Sequence, residues 1–180
     1  KILILNGSPH LDGATSDMAK AFSEGAKEAG HEVEIIQVGK MKINGCMACE
    51  YCHTKGEGKC IQQDDMEKVI PAYKDSDMIV FAAPVYYFGA SAQLMAAIQR
   101  VYCIGKPTKA TKSALLLSSG SPDTGRSIVE MYKDMIGYLG MEDQGVCALS
   151  GADNKSEEKM SEIRVGDIDD MIFQDCWFPS

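Results

Sequence analysis

Two hydrophobic rhythms alternate along the chain. Residues 2–6, 32–38, 78–83, 113–118 and 145–149 are apolar runs that read as strands. The first and third are nearly continuous, as expected of parallel strands covered on both faces. Segments of helical period lie between them. Residues 17–29 place Met18, Ala21, Phe22 and Ala26 on one stripe and Lys20, Glu24 and Lys27 outside it, with Gly30 positioned as a C-terminal cap. Residues 66–73, 91–101, 126–139 and 156–165 are the other expected helices, with Asp64-Asp65 and Asp123-Thr124 as start signals. Strand and helix alternate five times. That pattern predicts an α/β fold, a doubly wound five-stranded parallel sheet of order 2-1-3-4-5 with helices on both faces. No repeat or linker breaks it, so residues 1–180 read as one domain. The anomaly is the connection over residues 39–63, about 25 residues where roughly two to six is usual. It marks an insertion at about 40–63 that is cysteine-rich.

The turn after the first strand, Asn6 to Ser16, is built of small and hydroxyl residues and leads into a helix. The first turn of a helix leaves backbone N–H groups unpaired, so such a turn suits an anion. The turn has no lysine or arginine. The helix dipole alone supplies only ~0.3–1 kcal/mol, whereas hydrogen bonds to a charged group supply roughly 1.5–3 kcal/mol each. Binding would therefore rest on donors: the Ser8, Thr15 and Ser16 hydroxyls, the surrounding amides and His10. The fingerprints G-x-G-x-x-G and G-x-x-x-x-G-K-[ST] are both absent. Taken alone, the turn is equally well read as an ordinary loop ending in an N-cap.

The third strand runs into Pro84-Val85-Tyr86-Tyr87-Phe88-Gly89. In a sheet of this order the ligand crevice lies between the carboxyl ends of strands one and three. Three consecutive aromatics cannot all face one core, so at least one should project into the crevice, where a flat isoalloxazine ring is a suitable neighbour. The competing reading buries two rings and leaves one partly exposed.

Together, NGSPHLDGATS and APVYYFGASAQLMAAIQR resemble the NAD(P)H-dependent FMN reductase and iron–sulfur flavoprotein branch of the flavodoxin-like superfamily, over nearly the whole chain. The resemblance implies FMN, with Ser8, His10, Ala14, Thr15 and Ser16 around its phosphate and Pro84, Val85, Tyr86, Tyr87, Phe88 and Gly89 along its ring. It also places Ser118-Ser119-Gly120, after strand four, near the flavin. Two positions depart from the first motif: His10 stands for the usual arginine and Ala14 for the usual asparagine. In the second motif Gln99 replaces the acid of an aspartate–arginine pair, while Arg100 remains. Family members associate, which implies a homodimer or homotetramer with flavins near subunit boundaries. Residues 90–98 fit such a contact and fit core packing equally well.

Within the insertion, Cys46, Cys49, Cys52 and Cys60 form C-x2-C-x2-C-x7-C, with glycines at 45, 56 and 58 that let the chain wrap a centre. Ligation by four cysteines is the iron–sulfur pattern. Structural zinc, which favours two separated cysteine hairpins, is the weaker metal reading, and His53 is an awkward substitute ligand beside Cys52. The resemblance implies a [4Fe-4S] cluster, although similar reductases keep a cysteine run here without one. Cys103, Cys147 and Cys176 read as buried or incidental thiols.

Composition narrows the function. The net charge is −8 and no basic stripe stands out, against nucleic-acid binding. The apolar runs are too short to span a membrane. Lys1 leads straight into Ile2–Leu5, a strand rather than a secretory leader. Seven cysteines, four of them within fifteen residues, fit a reducing cytoplasm better than a secreted disulfide framework. The expected function is that of an FMN-dependent oxidoreductase with no obligatory acid or base side chain. It would move electrons between NAD(P)H, or a reduced carrier such as ferredoxin, and a small-molecule or protein acceptor. The alternatives are a non-enzymatic electron carrier and a redox- or metal-sensing module built on the cysteine loop. Residues 167–180 mix acids with Ile172, Phe173, Trp177 and Phe178, which suits either packing across a neighbouring subunit or a mobile tail.

Overall fold

The computed structural model describes residues 1–165. The expectations for residues 167–180, and for Cys176, lie outside them. Five parallel strands form the sheet: β1 (Ile2–Asn6), β2 (Val33–Ile36), β3 (Met78–Tyr86), β5 (Lys112–Ser119) and β6 (Glu142–Ser150). A sixth, β4 (Gly89–Ala90), folds back antiparallel on the end of β3. The path is β2-β1-β3-β5-β6, with β4 off it. The α/β architecture is the expected one, but the strand count and numbering are not. The Tyr86–Gly89 segment makes a hairpin instead of leading directly into a helix, so six strands replace the predicted five and the order 2-1-3-4-5 becomes 2-1-3-5-6.

Six α-helices are present among the described residues: α1 (Ala14–Glu28), α2 (Tyr51–Thr54), α3 (Met66–Asp75), α4 (Ala92–Arg100), α5 (Arg126–Leu139) and α6 (Glu157–Val165). They cover both faces. Alternate residues of the central strands feed two cores. Leu3, Leu5, Ile79 and Phe81 face α3, α4 and α5 through Val69, Leu94 and Tyr132. Ile2, Ile4, Val80 and Leu116 face α1 and α6 through Met18, Phe22 and Ile163. This is why β1 is apolar throughout: both of its faces are buried.

Three local expectations change. Helix α1 begins at Ala14, three residues before the predicted start, because Thr15 and Ser16 are buried beneath the preceding turn. The Asp123-Thr124 pair does not cap α5; its N-cap is Gly125, with no side-chain bond. Instead, the Thr124 hydroxyl donates to the Ser121 carbonyl and Asp123 adopts φ +62°. In the insertion, Asp64 and Asp65 do more than start α3. Asp64 Oδ1 accepts from the Met66 amide at 3.1 Å. Asp64 Oδ2 and Asp65 Oδ2 accept from the amides of Asn44 (3.1 Å) and Lys42 (2.8 Å), closing the stem of the cysteine loop. Among the described residues no helix is long and apolar enough to cross a membrane.

Candidate functional site

Three loops leave the sheet at one carboxyl edge, and the strand register holds them there. Asn6 pairs with Ala82, Pro84 pairs with Ser118, and the Gly7 amide donates to the Ala82 carbonyl at 2.8 Å. Side chains then tie the loops together. The hydroxyls of Thr15 and Ser118 share a buried hydrogen bond of 2.6 Å. Ser91, the N-cap of α4, donates to the Gly7 carbonyl at 2.7 Å. A Cβ on Gly7 would stand 2.6 Å from both Ser91 Oγ and Leu94 Cβ, so the loop approaches α4 as closely as only glycine permits.

The first loop is organised from within. Ser8 donates its amide to Asn6 Oδ1 (2.9 Å) and its hydroxyl to the His10 carbonyl (3.0 Å), and accepts the His10 amide (3.1 Å). The Ser16 hydroxyl donates to the same carbonyl at 2.6 Å and accepts from Asn6 Nδ2 at 2.9 Å. Ser8, Thr15 and Ser16 are all buried. Their hydroxyls therefore brace the loop, where the sequence offered them as donors to an anion. The donors left for an anion are the amides of Ala14, Thr15 and Ser16. These open α1 and have no intrahelical acceptor, and no side chain caps the helix. The His10 side chain is exposed at the rim and Ala14 is half-buried.

The second loop is strained. Tyr87 (φ +49°) and Phe88 (φ +67°) are both left-handed and form the two-residue tip between β3 and β4, a geometry usually given to Asn-Gly. Ser127, on α5, donates to the Phe88 carbonyl at 2.7 Å and holds the tip. Pro84 is buried, Val85 and Gly89 are half-buried, and Tyr86, Tyr87 and Phe88 are exposed, Tyr87 to 99%. All three stand in solvent, so the reading that buries two of them does not hold. Non-glycine residues kept at positive φ cost of order 1–3 kcal/mol each and cluster at functional sites. In the third loop Ser119 is buried, donates to the Ser121 carbonyl at 2.7 Å and has its own carbonyl bound by Asn154 Nδ2 at 2.6 Å. Gly120 is exposed, with open space where a Cβ would stand.

The cysteine loop reaches this edge through its stem. A Cβ on Gly39 would fall 2.2 Å from the Ser8 carbonyl oxygen, so the stem packs directly on the first loop. Beyond it, Cys46, Cys49, Cys52 and Cys60 all line one pocket, shared with Arg100 and Cys103. Ala48 and Glu50 are left-handed there, and the Ala48 amide donates to Cys46 Sγ at 3.4 Å. Cys46 and Cys49 are exposed and Cys52 is buried; burial pushes the Cys52 thiol above its ordinary range. His53 turns away from the thiols, its Nε2 3.0 Å from the Tyr102 carbonyl. The Tyr102 hydroxyl donates to Glu50 at 3.0 Å.

Arg100 anchors the whole loop from the end of α4. Only 1% exposed, it donates Nη1 to Asp64 Oδ2 (2.6 Å) and the Asn44 carbonyl (3.0 Å), and Nη2 to Asp64 Oδ1 (3.2 Å) and the Gln62 carbonyl (3.3 Å). Burial disfavours the Asp64 carboxylate, but Arg100 and the Asn44 and Met66 amides outweigh it and hold the carboxyl below its usual range. Sequence reasoning missed Asp64 as the partner of Arg100, and missed Cys103 as a wall of the cysteine pocket. No spacing rule links positions 64 and 100. Among the described residues no three His, Cys, Asp or Glu side chains stand close enough to hold a single metal ion. A four-iron cluster makes a different demand, with four thiolates set around a volume.

The family model for NADPH-dependent FMN reductases matches residues 1–153. This chain belongs to that family. Among similar proteins to this FMN reductase family member, an iron–sulfur flavoprotein of Methanosarcina thermophila is 30% identical over 78% of this chain and 75% of its own length. An iron–sulfur flavoprotein of Archaeoglobus fulgidus is 38% identical over 57% of this chain and 46% of its own. The chain spans about half the length of several such relatives. The structure of an FMN-dependent NADH-azoreductase from Bacillus anthracis in complex with FMN superposes with a TM-score of 0.64 at 15% identity, covering 93% of this chain and 94% of that one. That similarity is one of fold.

Proposed function

We propose that this reductase binds FMN at the carboxyl edge and holds a [4Fe-4S] cluster on Cys46, Cys49, Cys52 and Cys60. It takes electrons from NAD(P)H or a reduced carrier protein such as ferredoxin and passes them to a small-molecule or protein acceptor. One observation carries this reading: all four cysteines line a single pocket, and α4 connects that pocket to the first loop through Arg100 at one end and Ser91 at the other. The naming of relatives as iron–sulfur flavoproteins supports it.

When bound, the flavin supplies the redox chemistry, accepting a hydride or electrons at N5. The protein's own residues bind and orient. The open amides of Ala14, Thr15 and Ser16 receive the phosphate, with His10 at the rim. Tyr86, Tyr87, Phe88 and Gly89 border the ring, with Val85 and Pro84 beneath them, and Ser119-Gly120 closes the third side. Cys46, Cys49, Cys52, Cys60 and Cys103 are free thiols, which fits a cytoplasmic location. The exposed aromatic tip fits a homodimer or homotetramer.

Anaerobic purification tests the reading. Flavin absorbance together with about four irons and four sulfides per chain is the expected result. A quadruple cysteine-to-serine variant should lose the iron and keep the flavin. Protein with no flavin absorbance and no FMN-induced thermal stabilisation would overturn it.

A further inference from the structure

Arg100 has one hydrogen-bond donor left over. A guanidinium carries five N–H groups, and four are accounted for by the two Asp64 oxygens and the carbonyls of Asn44 and Gln62. The fifth, on Nε, is buried and has no partner. Buried donors are rarely left unpaired, because water is lost and nothing replaces it. Arg100 forms part of the wall of the cysteine pocket, beside Cys60 and Cys103. The acceptor missing at this position is thus one that the filled pocket would supply.

We infer that Arg100 Nε–H donates to a sulfur of the cluster, a bridging sulfide or the Cys60 thiolate, and that this bond sets how readily the cluster accepts an electron. This rests on the cluster reading above. Reduction adds one electron to the cluster and places more negative charge on its sulfurs, so a donor aimed at them favours the reduced form; hydrogen bonds to the sulfurs are a known determinant of such potentials. Asp64 has two functions in this arrangement. It fixes the guanidinium plane through a two-point pair, and its negative charge offsets the positive charge of Arg100.

The test is a dithionite titration of anaerobically reconstituted full-length protein, followed by the electron paramagnetic resonance of the reduced cluster. In the double variant R100M/D64N the net charge is unchanged, but the donor is gone. Its reduction equilibrium should fall about tenfold, a midpoint lower by about 59 mV for a one-electron couple. In D64N the donor remains and the offsetting carboxylate is removed, so the midpoint should rise. A residue that merely holds the loop would change cluster occupancy and leave the midpoint of the clusters still bound where it was. Midpoints equal to wild type in either variant, at full iron content, overturn the inference. If R100M/D64N binds no cluster, R100K decides the matter: it keeps the positive charge, places a methylene where Nε–H stood, and should lower the midpoint. Wild-type protein that assembles no cluster overturns the cluster reading itself, which the iron and sulfide counts show before any titration.

Discussion

The two sites of this molecule are held by different means. At the carboxyl edge the scaffold is the sheet: strand register places three loops side by side, and hydroxyl bonds such as Thr15–Ser118 and Ser91–Gly7 lock neighbours that the backbone has already aligned. The cysteine loop has no sheet beneath it. Among the described residues its one buried ionic anchor is the pair Arg100–Asp64, with carbonyls gathered around that guanidinium, and its other ties are exposed hydrogen bonds. A register is distributed over many bonds and survives the loss of one. A single buried pair does not, because the surviving partner keeps an uncompensated charge. The carboxyl edge should therefore tolerate loss of a single bond, and the cysteine loop should fail at one point.

That contrast can be broken most directly at Arg100. Arg100→Ala strands the Asp64 carboxylate, 7% exposed, and should destabilise the protein by about 3–5 kcal/mol, read by urea denaturation. A loss no larger than that of an exposed pair such as Arg126–Asp123 would mean that the loop has other support. Gly39→Ala tests the place where the two regions meet. Its methyl group would press on the Ser8 carbonyl from 2.2 Å, an overpacking worth roughly 1–3 kcal/mol. FMN affinity measured by fluorescence quenching should drop along with stability.

Much of the framework of the carboxyl edge was legible in the sequence, and little of the cysteine loop. Strand β1 and helix α5 fall on their predicted residues because periodicity reports burial directly. The start of α1 does not. Ser and Thr signal caps by local preference, but Thr15 is drawn into the helix by a bond to Ser118, 103 positions away. The same limit hid Asp64, since Asp64-Asp65 resembles a helix start and half of its role is to face Arg100. The hydroxyls of Ser8 and Ser16, expected as donors to an anion, donate to the His10 carbonyl.

Acid sharpens the comparison with a smaller effect. The Asp64 carboxyl is held below its ordinary value by Arg100 despite burial. Its contribution is fully present above the unfolded value near pH ~4 and is lost as pH falls through the lower folded value. Acid unfolding should therefore be less steep in D64N than in wild type, as followed by circular dichroism; identical slopes would remove Asp64 from the account. The smallest effect belongs to the aromatic tip. Replacing Tyr87 and Phe88 by Asn and Gly supplies the residues that the turn prefers. It should raise stability by about 1 kcal/mol while weakening FMN retention. Stability without loss of flavin would show that the strain serves some other end.

The length of α4 carries a consequence of its own. The helix rises about 1.5 Å and turns about 100° per residue, with one end fastened to Gly7 and the other to the Asn44 carbonyl and Asp64. Inserting or deleting a single residue between Ser91 and Arg100 would swing the guanidinium more than a quarter turn away from its partners. This helix cannot change its count, and works as a measuring rod between the first loop and the cysteine loop.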